Sequence, residues 1–241
     1  MRAWSTLRCQ MAKVQVVTAY VPLKVQNMNE EQFHALGTRL CNAAIDGGAS
    51  VKRFDDFPFE DCWLAQENPP HKCANPRATD RFATDEEQWR SNIIQHSPMQ
   101  WVSLAAAADP EPEVFVWLGY SLLKQGDFTG KRITERHITD FVRRLEGLDL
   151  QTIPVPGISE RLPVNDLGDN WRFCGSTIIV PRKFLMGVAK SYFFECRRFI
   201  RRVKAVPLDL AIWPSVEANS GLPWQWYKAE YDYTQLTNLP C

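Results

Sequence analysis

The strongest concentration of positive charge in the sequence lies between Arg182 and Lys204, where eight basic residues accompany a single acidic one. Four of them are spaced i, i+1, i+4 and i+5 and therefore share one helix face. They are Arg197, Arg198, Arg201 and Arg202. Such a face can clamp a diphosphate or follow a nucleic-acid backbone. The favoured alternative is the solvated face of an amphipathic helix that buries Phe194, Phe199 and Val203.

A second group of candidates consists of carboxylates near the end of the chain. Glu230 and Asp232 flank Tyr231 in a strand-like stretch, which predicts that both side chains point the same way, opposite to Tyr231. With Glu217 they offer the oxygen ligands that a hard cation such as Mg²⁺ or Mn²⁺ requires. A pair of surface charges is the favoured alternative for Glu230 and Asp232.

Other reactive side chains are dispersed. The four histidines show no ligand spacing and are predicted to be non-catalytic: His34, His71, His96 and His137. Cys174 has no histidine partner in the sequence, so a buried packing thiol is expected rather than a nucleophile. Trp224, Trp226 and Tyr227 have the ring systems that stack on sugars or bases, but core packing is the default for such dense aromatics.

Composition and missing motifs exclude several classes of protein. A net charge of zero argues against a protein devoted to coating nucleic acid. Seven cysteines without a CxxC pair suggest neither a zinc ribbon nor a disulfide framework, and favour reduced thiols in the cytoplasm. The sequence contains no Walker loop, GxGxxG, HExxH or GxSxG motif, and no apolar run approaches the roughly 20 residues of a membrane span. We expect an N-terminal extension over residues 1–12, without a signal peptide, and a single domain over 13–241.

The elements that would position these residues begin with a strand over Lys13–Tyr20, a helix from Asn29 to Asp46 and a strand over Ala49–Phe54. Strand, helix and strand at this spacing predict a βαβ unit and a parallel sheet. Val114–Leu118 is continuously apolar and ends at Gly119, as a buried central strand does. Ligands bind beyond the carboxyl ends of such strands, so the segment 118–121 is the predicted functional region.

The remaining pattern predicts an α/β fold with a mostly parallel central sheet and helices on both faces. A helix over 84–108 has a break at Pro98, and another covers 134–145. The segment 148–170 fits a short strand and a loop, and a strand follows over 171–180. Pro181 opens a helix that runs to about Lys204, and a shorter helix covers 208–218. The aromatic segment 224–233 is expected to pack against the sheet.

Three blocks of this sequence together resemble glycosyltransferase-like proteins of the GT-A fold, especially HtrL-like proteins and their relatives in bacteria and large viruses. The first block is the VVTAY strand at 16–20, and the second is VFVWLGYS at 114–121. The third contains WRFCGS, LDLAIW and WYKAEYD, between 171 and 232. The resemblance covers about residues 13–240.

The resemblance implies a nucleotide-sugar site, of the kind that binds a UDP-sugar, at the ends of the first and central strands. It implies donor-binding roles for ten residues: Thr18, Ala19, Tyr20, Trp117, Gly119, Tyr120, Ser121, Gly175, Ser176 and Tyr231. Asp209 stands where the family has Glu, and is the implied general base that deprotonates an acceptor hydroxyl. The alternative for Asp209 is an N-cap-like role after Pro207.

This sequence departs from the family pattern at three positions. Gly119 replaces the metal-binding Asp, Tyr231 replaces a His, and Pro98 replaces a Lys. We therefore expect a reaction without a metal, in which fixed positive charge stabilises the diphosphate. The candidates for that charge are Arg182 and Lys183 together with the four arginines of the same predicted helix.

The predicted function is transfer of a sugar from a nucleoside diphosphate to a hydroxyl acceptor. The acceptor is a surface glycan or a hydroxymethylated base in viral DNA, which would place the protein in the cytoplasm of a bacterium or of an infected host. Two alternatives stay open. One is a catalytically degenerate module that retains a sugar or nucleotide pocket, and the other is a DNA-binding protein without chemistry.

Overall fold

The computed structural model describes residues 13–21, 29–74, 84–120, 122–125, 130–146, 148, 150–158 and 173–240. The strands in this part of the chain are β1 (Val14–Ala19), β2 (Ser50–Phe54), β3 (Val114–Leu118), β4 (Ile153–Gly157), β5 (Thr177–Pro181) and β6 (Trp224–Lys228). The α-helices are α1 (Glu30–Asp46), α2 (Trp63–Gln66), α3 (Asp85–Gln95), α4 (Pro98–Ala108), α5 (Glu135–Glu146), α6 (Arg182–Val203), α7 (Trp213–Asn219) and α8 (Thr234–Thr237). Short 3₁₀ helices cover Phe59–Asp61, Leu122–Lys124 and Asp209–Ala211. The predicted extension over 1–12 lies outside the described residues.

The central sheet has four strands in the order β2-β1-β3-β5. β1 pairs in parallel with both β2 and β3, and β5 joins β3 in the antiparallel direction. Every residue of β1 and β3 is buried, as the continuous apolar sequence of β3 predicts for a strand covered on both faces. The predicted fold class, a mostly parallel α/β sheet with helices on both faces, is confirmed.

Two hydrophobic cores lie on opposite faces of this sheet. Val17, Phe115 and Trp117 point toward α4 and α6, whereas Val16 and Val116 point toward α1 and α5. This alternation follows from the period of two residues along a strand. The helix over 84–108 is divided at Pro98 into α3 and α4, because proline lacks the N–H that would continue the helix.

A second, two-stranded sheet lies beside β5 and consists of β4 paired in parallel with β6. The N–H of Ile153 donates to the Pro223 carbonyl on the β6 side, and the Pro156 carbonyl accepts from the Cys174 N–H on the other side. The backbone groups of residues i and i+2 of a strand face the same edge, so Pro154 and Pro156 both face the edge of β4 that is turned away from β6. Proline has no N–H, so neither residue can donate a hydrogen bond there. This edge of β4, the proline edge, cannot form a regular ladder of hydrogen bonds with the central sheet. β4 and β6 therefore form a separate sheet.

The core of α6 differs from the prediction at one residue. Phe194 was expected to be buried with Phe199 and Val203, but its side chain is 62% exposed. Tyr192 and Cys196 flank it in the sequence and occupy the inward face instead. None of the described helices is long and apolar enough to cross a membrane.

Replacing Gly37 with Ala is expected to destabilise the protein by about 1–3 kcal/mol, although alanine favours helices. A β-carbon at Gly37 of α1 would lie 2.1 Å from Cζ of Tyr120, whose ring packs directly on the helix backbone. Gly187→Ala, in the middle of α6, is the matched control because its β-carbon would meet only the flexible end of Leu222 at 3.2 Å. Urea unfolding should show a lower free energy of unfolding for Gly37→Ala alone. Equal free energies of unfolding for the two variants would mean that the packing of the Tyr120 ring does not require a glycine at position 37.

Candidate functional site

The ends of β1, β3 and β5 meet at one edge of the sheet. β1 and β3 run parallel with Val14 opposite Val114, so their carboxyl ends coincide, as predicted from the sequence. β5 runs the other way and begins there, with Thr177 opposite Leu118. The Gly119 N–H donates to the Ser176 carbonyl at 2.8 Å and joins the end of β3 to the segment before β5. We refer to this edge as the carboxyl edge.

Asp209 reaches the carboxyl edge from the 3₁₀ helix that follows α6. A β-carbon built on Gly175 would lie 2.5 Å from Asp209 Oδ2 and 3.0 Å from Leu210 Cδ2. Only glycine leaves room for the carboxylate at this position. The structure thus brings together Asp209 and Gly175, two predicted site residues that are 34 positions apart in the sequence.

The environment of Asp209 favours its neutral form. Burial raises the pKa of the carboxyl group from 3.8 to about 7, and the backbone N–H groups of Asp209 and Leu210 oppose that rise. The N-cap of the 3₁₀ helix is Leu208, which has no capping side chain, and Asp209 is the first residue of the helix, so an N-cap-like role for its carboxyl group stays open beside the general-base role. A carboxylate that titrates near neutral pH has the pKa that suits a general base.

A buried hydrogen-bonded chain lies behind Asp209. His96 is fully buried; its Nδ1 lies 2.7 Å from the Tyr192 hydroxyl, and its Nε2 lies 3.0 Å from the Pro207 carbonyl. Burial lowers the pKa of His96 to about 4, which keeps the imidazole neutral. The Tyr192 ring also packs on Trp213, with ring centroids 4.6 Å apart.

A polar cluster lies on the other side of Gly175. Ser176 Oγ is 2.9 Å from Gln235 Oε1 and 3.1 Å from Gln125 Oε1, and the Gln235 amide donates to Gln125 at 2.8 Å. Gln235 is fully buried and also accepts from the Thr177 hydroxyl. Neither glutamine was identified from the sequence, because a glutamine in a polar segment carries no pattern that marks it.

Lys131 and Asp232 form an ion pair beside this cluster. Asp232 is 1% exposed, and its Oδ2 lies 3.8 Å from the Lys131 ammonium, which is partly open to solvent. Asp232 Oδ1 accepts from the Thr234 N–H at 2.8 Å, where the chain turns into α8. The predicted exposed pair of Glu230 and Asp232 is therefore wrong for Asp232. β6 ends at Lys228, so the alternation expected of a strand does not extend to these residues.

Several residues implied to bind the donor have buried side chains. The Thr18 hydroxyl donates to the Leu118 carbonyl at 2.7 Å inside the sheet, and Trp117 stacks on Trp101. Tyr20 and Tyr120 pack against each other with ring centroids 5.4 Å apart, and both are less than 10% exposed. The backbone of Tyr20 is also bonded within the protein, with the N–H donating to the Phe54 carbonyl and the carbonyl accepting from the Phe57 N–H. Ala19 is likewise buried, Tyr231 is half-buried against the core of α1 and α5, and Ser121 lies outside the described residues.

The basic residues of α6 divide between the two ends of the helix. Arg182 donates to the carbonyls of Ala106, Asp109 and Pro112, so it and Lys183 lie at the amino ends of β1 and β3. Because β5 is antiparallel, the start of α6 is at the edge opposite the carboxyl edge. This position removes Arg182 and Lys183 as diphosphate contacts.

The later arginines of α6 have mixed roles. Arg197 binds Glu67 at 2.8 Å and lies over the Trp63 ring, and Arg198 pairs with Glu195 at 3.3 Å. Arg201 and Arg202 are exposed near the end of the helix. Two of the four arginines are thus engaged in ion pairs within the protein, which weakens the case for a nucleic-acid backbone track.

Within the described ranges, one group of three potential metal ligands is close enough to share an ion: Glu30, His34 and Asp56. His34 Nε2 lies 3.7 Å from Glu30 and 3.8 Å from Asp56. On its other side, His34 Nδ1 lies 3.1 Å from Arg53 Nη2, and a guanidinium only donates hydrogen bonds. Neutral His34 therefore carries its proton on Nε2, facing the carboxylates, and this tautomer does not fit a metal.

An apolar cleft opens between β5 and the proline edge of β4. The cleft is narrow: the space in it that the centre of a water molecule can occupy is about 10 Å³. Phe173, Ile178, Trp213 and Trp224 contribute to its walls, and Gly175 lies at its border next to Asp209. Cys174 also borders the cleft, and burial raises the pKa of its thiol to about 12. This value agrees with the expected packing role rather than a nucleophilic one.

No protein-family model matches the sequence, and no curated protein matches it at a significant level. One similar solved structure is that of a glycosyltransferase involved in the glycosylation of the major capsid of PBCV-1. The two chains have 10% sequence identity and a TM-score of 0.49, with 90% of this chain and 81% of that chain covered. Similarity at this level does not by itself identify an activity.

Proposed function

We propose that this protein transfers a sugar from a nucleoside-diphosphate sugar to a hydroxyl acceptor, with Asp209 as the general base. The observation that carries the proposal is the Asp209 carboxyl group, which is buried against Gly175 at the carboxyl edge and has a pKa near 7. A base of this kind is half deprotonated at neutral pH and can accept a proton from an attacking hydroxyl. The sequence blocks that resemble GT-A glycosyltransferases include both residues.

The donor would lie across the carboxyl edge, over the ends of β1 and β3, where open α/β sheets bind ligands. Gly119 has no side chain, and its backbone is bonded within the protein, with the N–H donating to the Ser176 carbonyl and the carbonyl accepting from the Leu122 N–H. A β-carbon there would meet only Ser176, at 3.6 Å. The acceptor would approach Asp209 from the side of the apolar cleft, which has Trp213 and Trp224 in its walls and would have to widen to admit a sugar or a base. A surface glycan and a hydroxymethylated base both carry the hydroxyl that Asp209 would deprotonate.

The departing diphosphate requires positive charge at the same edge. Lys131 supplies an accessible ammonium group there, and the buried Asp232 carboxylate keeps it in place. Arg201 and Arg202 lie near the end of α6 that leads to Asp209. With Gly119 in place of a carboxylate, and with the His34 tautomer unsuited to a metal, these cations are the proposed substitute for Mg²⁺ or Mn²⁺.

Donor binding is therefore expected to survive EDTA, to change little when Mn²⁺ is restored, and to weaken as salt is added, since salt screens accessible charge. The measurement is a thermal-shift titration of chelated protein with nucleoside diphosphates and nucleotide sugars, because a ligand of the native state raises the melting temperature. A requirement for Mn²⁺ or Mg²⁺ would contradict the metal-free proposal.

Lys131→Met tests the source of the positive charge in the same titration. Losing one charge-assisted contact should weaken binding by about tenfold or more. Lys183→Met removes the same charge at the opposite edge and is the matched control, with unchanged affinity expected. Binding without any turnover would instead favour the degenerate module that retains a nucleotide pocket.

A further inference from the structure

We propose that His96 and Tyr192 are positioning residues that clamp the segment 207–213 and so hold the Asp209 carboxyl group against Gly175. This inference rests on the proposed function only in treating Asp209 as the base. The clamp itself can be tested without any enzymatic assay.

One arrangement of protons satisfies the buried chain. The Pro207 carbonyl can only accept a hydrogen bond, so His96 Nε2, 3.0 Å away, must carry the ring proton. Neutral His96 then has a lone pair on Nδ1, and the Tyr192 hydroxyl donates its single proton to it across 2.7 Å. Because His96 and Tyr192 are both at most 1% exposed, losing the Nε2 bond would deprive the Pro207 carbonyl of this donor, and losing the hydroxyl would leave Nδ1 with only Cys196 Sγ, 3.7 Å away.

The clamp holds the segment near both of its ends. His96, between α3 and α4, binds the carbonyl two residues before Asp209. Tyr192, on α6, packs its ring against Trp213, four residues after Asp209. The 3₁₀ helix with Asp209 lies between these two attachments, so its position depends on both neighbouring helices.

Among the residues that the structure describes, the groups that face Asp209 supply no positive charge. Tyr192 and Cys196 face it from α6, and burial raises the pKa of both above their ordinary values, so both are neutral near pH 7. His96 lies behind Tyr192, is hydrogen-bonded to its hydroxyl, and is also neutral. On the β5 side the neighbour is Gly175, which has no side chain. The titration of Asp209 therefore depends on how fully the clamped segment keeps the carboxyl group away from water.

The experiment is a pH titration of the Asp209 carboxyl carbon by ¹³C NMR, with the signal assigned by its loss in Asp209→Asn. The wild-type midpoint should lie near 7. In Tyr192→Phe, His96 Nδ1 loses the hydroxyl and keeps only the longer contact with Cys196 Sγ, so the hold of His96 on Pro207 loosens, the carboxyl group gains water, and the midpoint should fall by about one pH unit or more toward the ordinary value. Trp213→Leu releases the other attachment and should lower the midpoint in the same direction, which keeps the test decisive if Tyr192→Phe does not fold.

Val188→Ala is the matched control, because Val188 is fully buried one turn before Tyr192 on α6 and makes none of these hydrogen bonds. Its midpoint should equal that of the wild type. A wild-type midpoint near 4, a midpoint that is unchanged in the folded clamp variants, or an equal fall in Val188→Ala would each overturn the clamp. Full turnover by Asp209→Asn would refute the catalytic role of Asp209 and leave the NMR result standing, so the two failures are distinguishable.

Discussion

Asp209→Asn is expected to lower turnover about 10²- to 10⁴-fold, the range typical of losing a general base. Asparagine keeps the size of the side chain and can still accept a hydrogen bond from the backbone N–H groups beside it, so the 3₁₀ helix should be preserved. The donor is proposed to bind over β1 and β3, away from this carboxylate. Donor affinity should therefore stay within a factor of about three, which places the loss in the chemical step.

Glu195→Gln provides the control for this experiment. Glu195 is also a buried carboxylate, on the helix that leads to Asp209, but it pairs with Arg198 and Asn219 and does not reach the carboxyl edge. Its turnover should remain near that of the wild type. If Asp209→Asn kept normal turnover, or if both variants lost activity equally, Asp209 would not be the base.

Asp209→Asn is also expected to stabilise the protein at neutral and alkaline pH. The folded protein binds a proton at Asp209 between pH 3.8 and about 7, where the unfolded chain has released it. The stability that this group contributes is thus fully present below pH 3.8 and is lost as the pH rises through 7. At pH 8 the accumulated cost is about 4 kcal/mol, since each unit of pKa shift corresponds to about 1.4 kcal/mol, and the variant avoids it.

Urea unfolding of both proteins at pH 4.5 and pH 8 measures this effect. The two should be nearly equally stable at pH 4.5, and the variant should be more stable at pH 8. The contribution of His96 to stability changes with pH in the opposite direction. Its pKa is 6.5 in the unfolded chain and about 4 in the folded protein, so the stability that it contributes is lost as the pH drops from 6.5 to 4. In the wild type the opposite pH dependences of Asp209 and His96 nearly cancel between pH 6.5 and 4. Asp209→Asn keeps only the His96 contribution, so its free energy of unfolding should fall as the pH drops from 6.5 to 4. An equal difference between the proteins at every pH would contradict the raised pKa of Asp209.

The parts of the fold that the sequence predicted depend on local patterns. A continuous apolar run indicates β3 because both faces of this strand are buried, and Pro98 marks the break before α4. The βαβ unit over β1, α1 and β2 predicts a parallel sheet, and the common edge of β1 and β3 follows if β3 joins that sheet in the same direction. Asp209 and Gly175 were identified through the resemblance rather than through any pattern of their own.

Other features depend on contacts between distant residues. An apolar strand pattern does not reveal strand direction, so the antiparallel β5 put Arg182 at the edge opposite the one expected. His96 and Tyr192 are 96 positions apart, and neither has a neighbour in the sequence that marks the hydrogen bond between them. Lys131 and Asp232 are also far apart in the sequence and meet only because the chain turns after β6.

The most direct measurement of the central claim is the release of nucleoside diphosphate from a panel of nucleotide sugars by chelated wild-type protein. The panel is assayed with and without a hydroxyl acceptor, and Asp209→Asn is assayed in parallel. We predict release from at least one nucleotide sugar in EDTA, at a rate that Mn²⁺ changes little and that Asp209→Asn reduces about 10²-fold or more. The absence of release from every nucleotide sugar, with and without added Mn²⁺, would contradict the proposal that this protein is a glycosyltransferase.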